Sequence, residues 1–242
     1  MEIIRFESIE DIGQTVGNII CDAVLQKPNT VLGLATGASP ITTYKQMIRR
    51  HQRERLSFAK VHTFNLDEYC DLPISHPTSY HSFMCAELFS DLDIPNAQIH
   101  FLDGNTDNEF AESERYREAI EAVGGIDIQL LGIGRNGHIG FNEPAENFTG
   151  EAFKVALAPS TIEANRIWFS GGAAEVPKYA MTMGIGQIMK ARKILLIATG
   201  AAKADAVYGM VKGAVTPHMP ASILQTHPDV TVYIDAAAGA KL

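Results

Sequence analysis

The sequence predicts an α/β fold: one domain over residues 1–242, built on a doubly wound, mostly parallel sheet with helices on both faces. Three observations carry this expectation. Short β-branched or apolar runs alternate with longer segments of helical periodicity, the pattern of a parallel sheet whose strands are joined by crossover helices. Several of the runs, VLGLA, IQLLGI and ILLIA among them, are apolar on both faces and so need cover on both. No repeat, low-complexity tract or linker divides the chain. Together these describe a modified Rossmann-like architecture.

Taken in order, strands are expected at residues 3–6, 30–35, 61–66, 98–101, 126–132, 193–198 and 230–234. Helices are expected between them. Residues 8–25 open with a Ser and an acidic first turn, a common helix start. Residues 105–122 and 201–211 show apolar positions at spacings of three and four. A shorter helix with a Ser cap is expected from Ser160 to Arg166.

Composition narrows the function. The chain carries 20 Lys and Arg against 28 Asp and Glu, a net charge of −8. No basic run exceeds the pair Arg49-Arg50, so a nucleic-acid partner, which needs a basic face, is excluded. The longest uncharged apolar stretch, residues 194–202, is about half of the roughly 20 residues that a membrane-spanning helix requires. The start MEIIRFESIEDIG is broken by Glu2, Arg5, Glu7, Glu10 and Asp11 and does not read as a signal peptide. A cytoplasmic protein is therefore expected. Cys21, Cys70 and Cys85 are too few and too irregularly spaced for a disulfide framework or a zinc site, and read as reduced thiols. An acidic chain that binds an anion needs backbone N–H groups and placed cations to overcome its own field.

Open α/β sheets bind ligands beyond the carboxyl ends of their strands, and that is where the unusual polar sequence falls. After the second strand comes Thr36-Gly37-Ala38-Ser39-Pro40. Small residues and a helix N-terminus suit a phosphate cradle; an ordinary turn with Ser39 as N-cap is the alternative. The third strand ends in Asn65-Leu66-Asp67-Glu68-Tyr69. Strand alternation turns Asp67 and Glu68 to opposite sides, so at most one faces a cleft. Partly desolvated, that carboxylate would have a raised pKa suited to taking a proton from carbon beside a carbonyl or imine; a pair of ordinary solvated carboxylates at a strand end is the alternative.

The fifth strand runs into Gly132-Ile133-Gly134-Arg135-Asn136-Gly137-His138. The glycine spacing is that of a dinucleotide fingerprint, but Phe141-Asn142-Glu143-Pro144 follows at once, and Pro144 would interrupt the helix such a site requires. The loop instead exposes Asn136, His138 and Glu143. An imidazole oriented by a carboxylate five residues on makes a tuned acid/base. No second His or Cys stands at ligand spacing, so no metal is expected. Lys203 starts a helix after Thr199-Gly200 and can add charge to a phosphate site. Arg166 can do the same, or can pair with Glu163 at i,i+3 on the surface.

The strings LGLATGASPITTYK, FNLDEYCDLP, HPTSYHSFM, LGIGRNGHIGFNEPA, VPKYAMTMGI and MPASILQTHPDV resemble, in collinear order over nearly the whole chain, the glucosamine-6-phosphate deaminases. The resemblance implies conversion of glucosamine 6-phosphate and water to fructose 6-phosphate and ammonium, with no metal or organic cofactor. It makes Asp67 the base at C2 and His138 the acid/base that opens the pyranose, with Asn136 and Glu143 completing the relay. It assigns phosphate binding to Thr36, Gly37, Ala38, Ser39, Lys203 and Arg166. The implied partner is a small amino-sugar phosphate, and the chain a monomer or small homo-oligomer.

Two departures matter. Asn136 stands where the family has Asp or Asn, and an amide orients His138 by hydrogen bonding only. After Ala164-Asn165 the family usually reads Ser-Arg-Phe-Phe, whereas this chain reads Arg166-Ile167-Trp168-Phe169. One place on a helix is about 100°, so either the backbone adjusts or Arg166 does not bind phosphate. The resemblance leaves galactosamine 6-phosphate as an alternative substrate. A 6-phosphogluconolactonase shares the fold but needs no carbon base, and a sugar-phosphate sensor domain keeps the fold without the acids.

Overall fold

The computed structural model describes the backbone of residues 1–242 and the side chains of all of them except Ala173 and Ala174. The chain runs β1 (Glu2–Phe6), α1 (Ile9–Gln26), β2 (Val31–Leu34), α2 (Ile41–Glu54), β3 (His62–Asn65) and β4 (Asp67–Tyr69). It continues through α3 (Tyr80–Glu87), β5 (Ile99–His100), α4 (Glu109–Ala122), β6 (Ile128–Leu131), β7 (Phe153–Ala156) and α5 (Pro159–Asn165). It closes with β8 (Tyr179–Thr182), α6 (Ile185–Ile188), β9 (Lys193–Ala198), α7 (Ala204–Lys212) and β10 (Val230–Asp235).

Seven strands form one sheet in the order β1-β10-β9-β6-β2-β3-β5, and every pair in it is parallel. The two-faced apolar runs explain its cover. Leu195 and Ile197 of β9 face one apolar cluster with Ile12, Val16 and Ile20 of α1, Tyr44 and Met47 of α2, and Met84 of α3. Ile194 and Leu196 face the other, with Tyr116 of α4, Ile185 and Ile188 of α6, and Val207 and Met210 of α7. Alternation along one strand thus requires helices on both sides, and the expected doubly wound, mostly parallel α/β fold is what the chain adopts.

Three further strands were not foreseen. β4, β8 and β7 make a small antiparallel sheet, with Asp67 opposite Thr182 and Tyr69 opposite Ala180. The run 61–66, read as one strand leading into Asp67, therefore splits. β3 ends at Asn65, and after Leu66 the chain enters the second sheet.

Several boundaries shift for local reasons. The edge strand expected over 98–101 shrinks to Ile99–His100 because Asn96–Gln98 forms a 3-10 turn after Pro95. α4 starts at Glu109 rather than 105, since the Asn108 side chain caps Ala111 N at 3.1 Å while Asn105 Nδ2 bonds to Leu72 O at 2.9 Å. Before α7, Ala201–Lys203 is a 3-10 turn. α5 has Pro159 in its first turn and no side-chain cap, so the expected Ser cap is absent, and Arg166 already belongs to a following 3-10 turn. Among the described residues no helix is long and apolar enough to cross a membrane.

The strand order reverses direction at β2. From there the chain goes to β3 on one side, and later to β6 on the other. The loops after β2 and β6 consequently open on either side of a switch-point crevice, the usual ligand position in such sheets.

Candidate active site

A cleft of about 430 Å³ occupies that crevice, lined by the loops after β2, β6 and β9, by β4, and by α5 with the turn that follows it. One end of it is built largely from backbone. Gly37 has φ +87, a left-handed conformation that suits glycine. α2 has Pro40 as its cap with no side-chain cap bond, so Ser39 does not cap the helix and lines the cleft instead. Among the described residues none of the N–H groups of Thr36, Gly37, Ala38 and Ser39 donates to a protein acceptor. Such a cluster of free donors at a helix start is suited to an anion.

Lys203 lines the same end, and its Nζ donates to Ile133 O at 2.5 Å. Burial first, and the Arg135 charge second, lower its pKa. An anion beside it offsets both effects. The structure brings Thr36 through Ser39 and Lys203 together and leaves Arg166 out. Arg166 Nε lies 2.6 Å from Glu163 Oε1, with both side chains more than half exposed at 55% and 62%. The i,i+3 surface pair is thus the geometry found, and the neighbours Asn165 and Ile167 line the cleft in its place.

The other end holds two separate sets of titratable side chains. Asp67 is buried yet lines the cleft, and among the described residues no group hydrogen-bonds to its carboxylate. Burial, and then the Glu68 charge, push its pKa up to about 8. Glu68 points the other way and accepts the N–H groups of Tyr69, Tyr80 and His81 at 2.8, 2.9 and 2.9 Å. Burial still raises Glu68 above the ordinary carboxylate range, against the pull of those three bonds. One acid holds the start of α3, and the other lines the cleft.

The second system is the loop after β6. Gly134 N donates to His138 O at 2.8 Å and Gly137 N to Gly134 O at 3.1 Å, which folds the loop back on itself. A side chain at Gly134 would meet the imidazole, since its Cβ would lie 2.3 Å from His138 Cε1. His138 Nδ1 stands 3.3 Å from Glu143 Oε2, and Asn136 Nδ2 donates to the same oxygen at 2.6 Å. Asn136 Oδ1 accepts His138 N at 3.2 Å. The other oxygen of Glu143 accepts from Thr161 Oγ1 and, at 3.4 Å, from Ala158 N. Burial raises Glu143, but the bond and charge of His138, with Thr161 and Asn136, outweigh it and bring the pKa down to about 2. With its proton on Nδ1, His138 presents Nε2 as the exchangeable site.

Three lining residues were missed in the sequence. Thr161 sits in the first turn of α5, and nothing local marks its partner eighteen positions upstream. Tyr80, half-buried beside Tyr69 with the two hydroxyls 3.2 Å apart, lies in HPTSYHSFM with no chemical signal of its own. Arg135 stands in the glycine loop but was passed over between its more telling neighbours. Among the described residues no group of three His, Cys, Asp or Glu side chains is placed to hold a metal ion.

Fold and cleft are those of an α/β protein with a ligand-sized crevice at the switch point of its sheet. The chain belongs to the family of glucosamine-6-phosphate isomerases/6-phosphogluconolactonase, whose model matches residues 6–233. Within it, the chain is 48% identical over 238 residues to the glucosamine-6-phosphate deaminase of Geobacillus sp. (strain WCH70), covering 98% of this chain and 94% of the relative. It is 46% identical to the deaminase of Clostridium acetobutylicum, over the full length of both. A solved structure of a monomeric glucosamine-6-phosphate deaminase superposes with a TM-score of 0.96 at 42% identity, over all of both chains. The 6-phosphogluconolactonase of Thermotoga maritima, 18% identical with a TM-score of 0.74 over 97% of this chain and 98% of that one, shares the fold.

Proposed function

We propose that this chain is a glucosamine-6-phosphate deaminase, converting glucosamine 6-phosphate and water to fructose 6-phosphate and ammonium. One observation carries the reading: an unpartnered, buried Asp67 carboxylate shares a cleft with a complete Asn136-His138-Glu143 relay. A lactonase needs no carbon base, and a sensor needs neither system.

The phosphate sits among Thr36 to Ser39 and Lys203, remote from the reacting carbons, so its binding energy orients C1 and C2. His138 Nε2 takes the proton of the O1 hydroxyl and returns one to the ring oxygen as the C1–O5 bond breaks. Glu143 holds the imidazolium formed in passing, and Asn136 fixes the carboxylate. Asp67 then removes the C2 proton; the C–H electrons form the C1=C2 bond, and the aldehyde oxygen is protonated to give an enolamine. A proton delivered to C1 yields the C2 imine, and water adds to it and expels ammonia. A carboxylate with a raised pKa is the stronger base for the carbon step, while the imidazole serves the oxygen steps.

The family resemblance supports an amino-sugar phosphate as the small-molecule partner and a chain that works as one domain in the cytoplasm, as a monomer or small oligomer. The test is ammonium release by purified protein from glucosamine 6-phosphate and, in parallel, galactosamine 6-phosphate, with a chelator present. Release from the first is expected. Preference for the second changes the substrate and keeps the mechanism, whereas release from neither overturns the proposal.

A further inference from the structure

The displacement of Arg166 leaves the anion-binding end of the cleft short of a cation, in a chain whose net charge is −8. Another arginine stands there. Arg135 lines the cleft, is exposed at its mouth, and among the described residues has no carboxylate or carbonyl partner. It lies two residues past Ile133, whose carbonyl receives Lys203 Nζ at 2.5 Å. A Cβ at Gly132, in the same loop, would lie 4.0 Å from Ser39 Oγ. The loop after β6 therefore places Arg135 in the lining of the same cleft as Ser39 and Lys203.

We propose that Arg135 supplies the second cationic contact to the substrate phosphate, in the place that Arg166 does not fill. The proposal rests on the sugar-phosphate reading above and adds a residue to it. Two cations lining one cleft repel each other, and a bound dianion relieves that repulsion. The Arg135 charge acts on Lys203 in this way. A guanidinium offers two parallel N–H donors to phosphate oxygens, where an ammonium acts as a point charge. The position has a second consequence. Arg135 is joined directly to Asn136, whose side chain bonds to Glu143 and His138 N, so a phosphate held by Arg135 is tied through one peptide to the relay that opens the ring.

The experiment is titration calorimetry of inorganic phosphate into the full chain and into Arg135→Ala, Arg135→Lys and Arg166→Ala, each checked by thermal melting to be folded. A charge-assisted contact of this kind is worth roughly tenfold in affinity. Arg135→Ala is expected to weaken phosphate binding by about that factor, and to raise KM far more than it lowers kcat. Arg135→Lys recovers part of the affinity, and Arg166→Ala leaves it within about twofold, as expected of an exposed surface pair. An unchanged phosphate Kd in Arg135→Ala overturns the proposal, as does a tenfold loss in Arg166→Ala. Ammonium release by the unsubstituted chain is read separately. Its failure would strike the deaminase reading, while the calorimetric comparison would still decide the role of Arg135 in holding an anion.

Discussion

Asp67 and Glu68 are consecutive on β4 and do opposite work: Glu68 accepts three backbone N–H groups that hold the start of α3, and Asp67 turns a bare carboxylate into the cleft. Substitution by the isosteric amide should separate them. Asp67→Asn is expected to lower kcat by about 10²–10⁴, the usual range for losing a general base, with the Kd for inorganic phosphate unchanged. Glu68→Gln is expected to cost about 1–3 kcal/mol of stability, because one of its oxygens becomes a donor facing backbone donors. Steady-state kinetics, calorimetry and denaturant melts give the three readings. Full turnover in Asp67→Asn would remove it from the mechanism.

The raised pKa of Asp67 acts on activity and on stability in opposite directions. As a base it works only when ionised, so kcat/KM should climb with pH along a one-proton limb that levels near its value of about 8. As a buried acid it holds its proton more tightly in the folded chain than in the unfolded one, so its contribution to stability is present below the ordinary Asp value and is lost as pH rises through about 8. The Asp67→Asn variant should therefore gain in Tm relative to the parent as pH rises from 4 to 8. A constant difference between the two melting curves across that range would show that the carboxylate is not perturbed.

The main sheet was legible because its central strands β2, β6 and β9 are buried on both faces, a signal that local sequence carries by itself. The small sheet was not. β4, β7 and β8 have three or four residues each, and what makes them strands is pairing with segments distant in the chain, as in Asp67 with Thr182. The same division runs through the site. Asn136, His138 and Glu143 lie within one loop, so their meeting could be anticipated from spacing and glycines. Thr161 meets Glu143 only once α5 is laid over the cleft. For Arg166 the helical offset was visible, and the outcome depended on Glu163, one turn back, competing for it.

Thr161 offers a test of that long-range contact. Its hydroxyl donates to Glu143 Oε1, the oxygen facing away from His138, with Ala158 N as the only other partner found there among the described residues. Removing the hydroxyl loosens the carboxylate that orients the imidazole. Thr161→Val should lower kcat roughly tenfold, in line with one buried hydrogen bond to a charged group, with KM little changed. It should also raise the pKa of Glu143, which this bond helps to hold down, and so add a second acid-side step to kcat well below the Asp67 limb. Thr161→Ser should restore both. Loss of activity in Thr161→Val with an unmoved pH profile would mean that the residue only packs α5.

Gly134 sets how closely the loop backbone approaches the relay. A methyl group there would stand 2.3 Å from His138 Cε1 and 2.4 Å from Nε2, well inside contact distance, so the ring has to rotate or the loop has to open. Either movement spoils the 3.3 Å approach of Nδ1 to Glu143, and a misplacement of about 1 Å is enough to cost 10²-fold in rate. Gly134→Ala is therefore expected to lose about two orders of magnitude in kcat/KM on glucosamine 6-phosphate. The loss should fall on ring opening, because Asp67 lies on another sheet and keeps its place. An analogue lacking the C5 hydroxyl cannot close a pyranose, and its C2 proton exchange should be affected far less by Gly134→Ala or by His138→Gln. Equal losses on the cyclic and the open substrate would assign His138 to the carbon step instead, and would leave ring opening to the solvent.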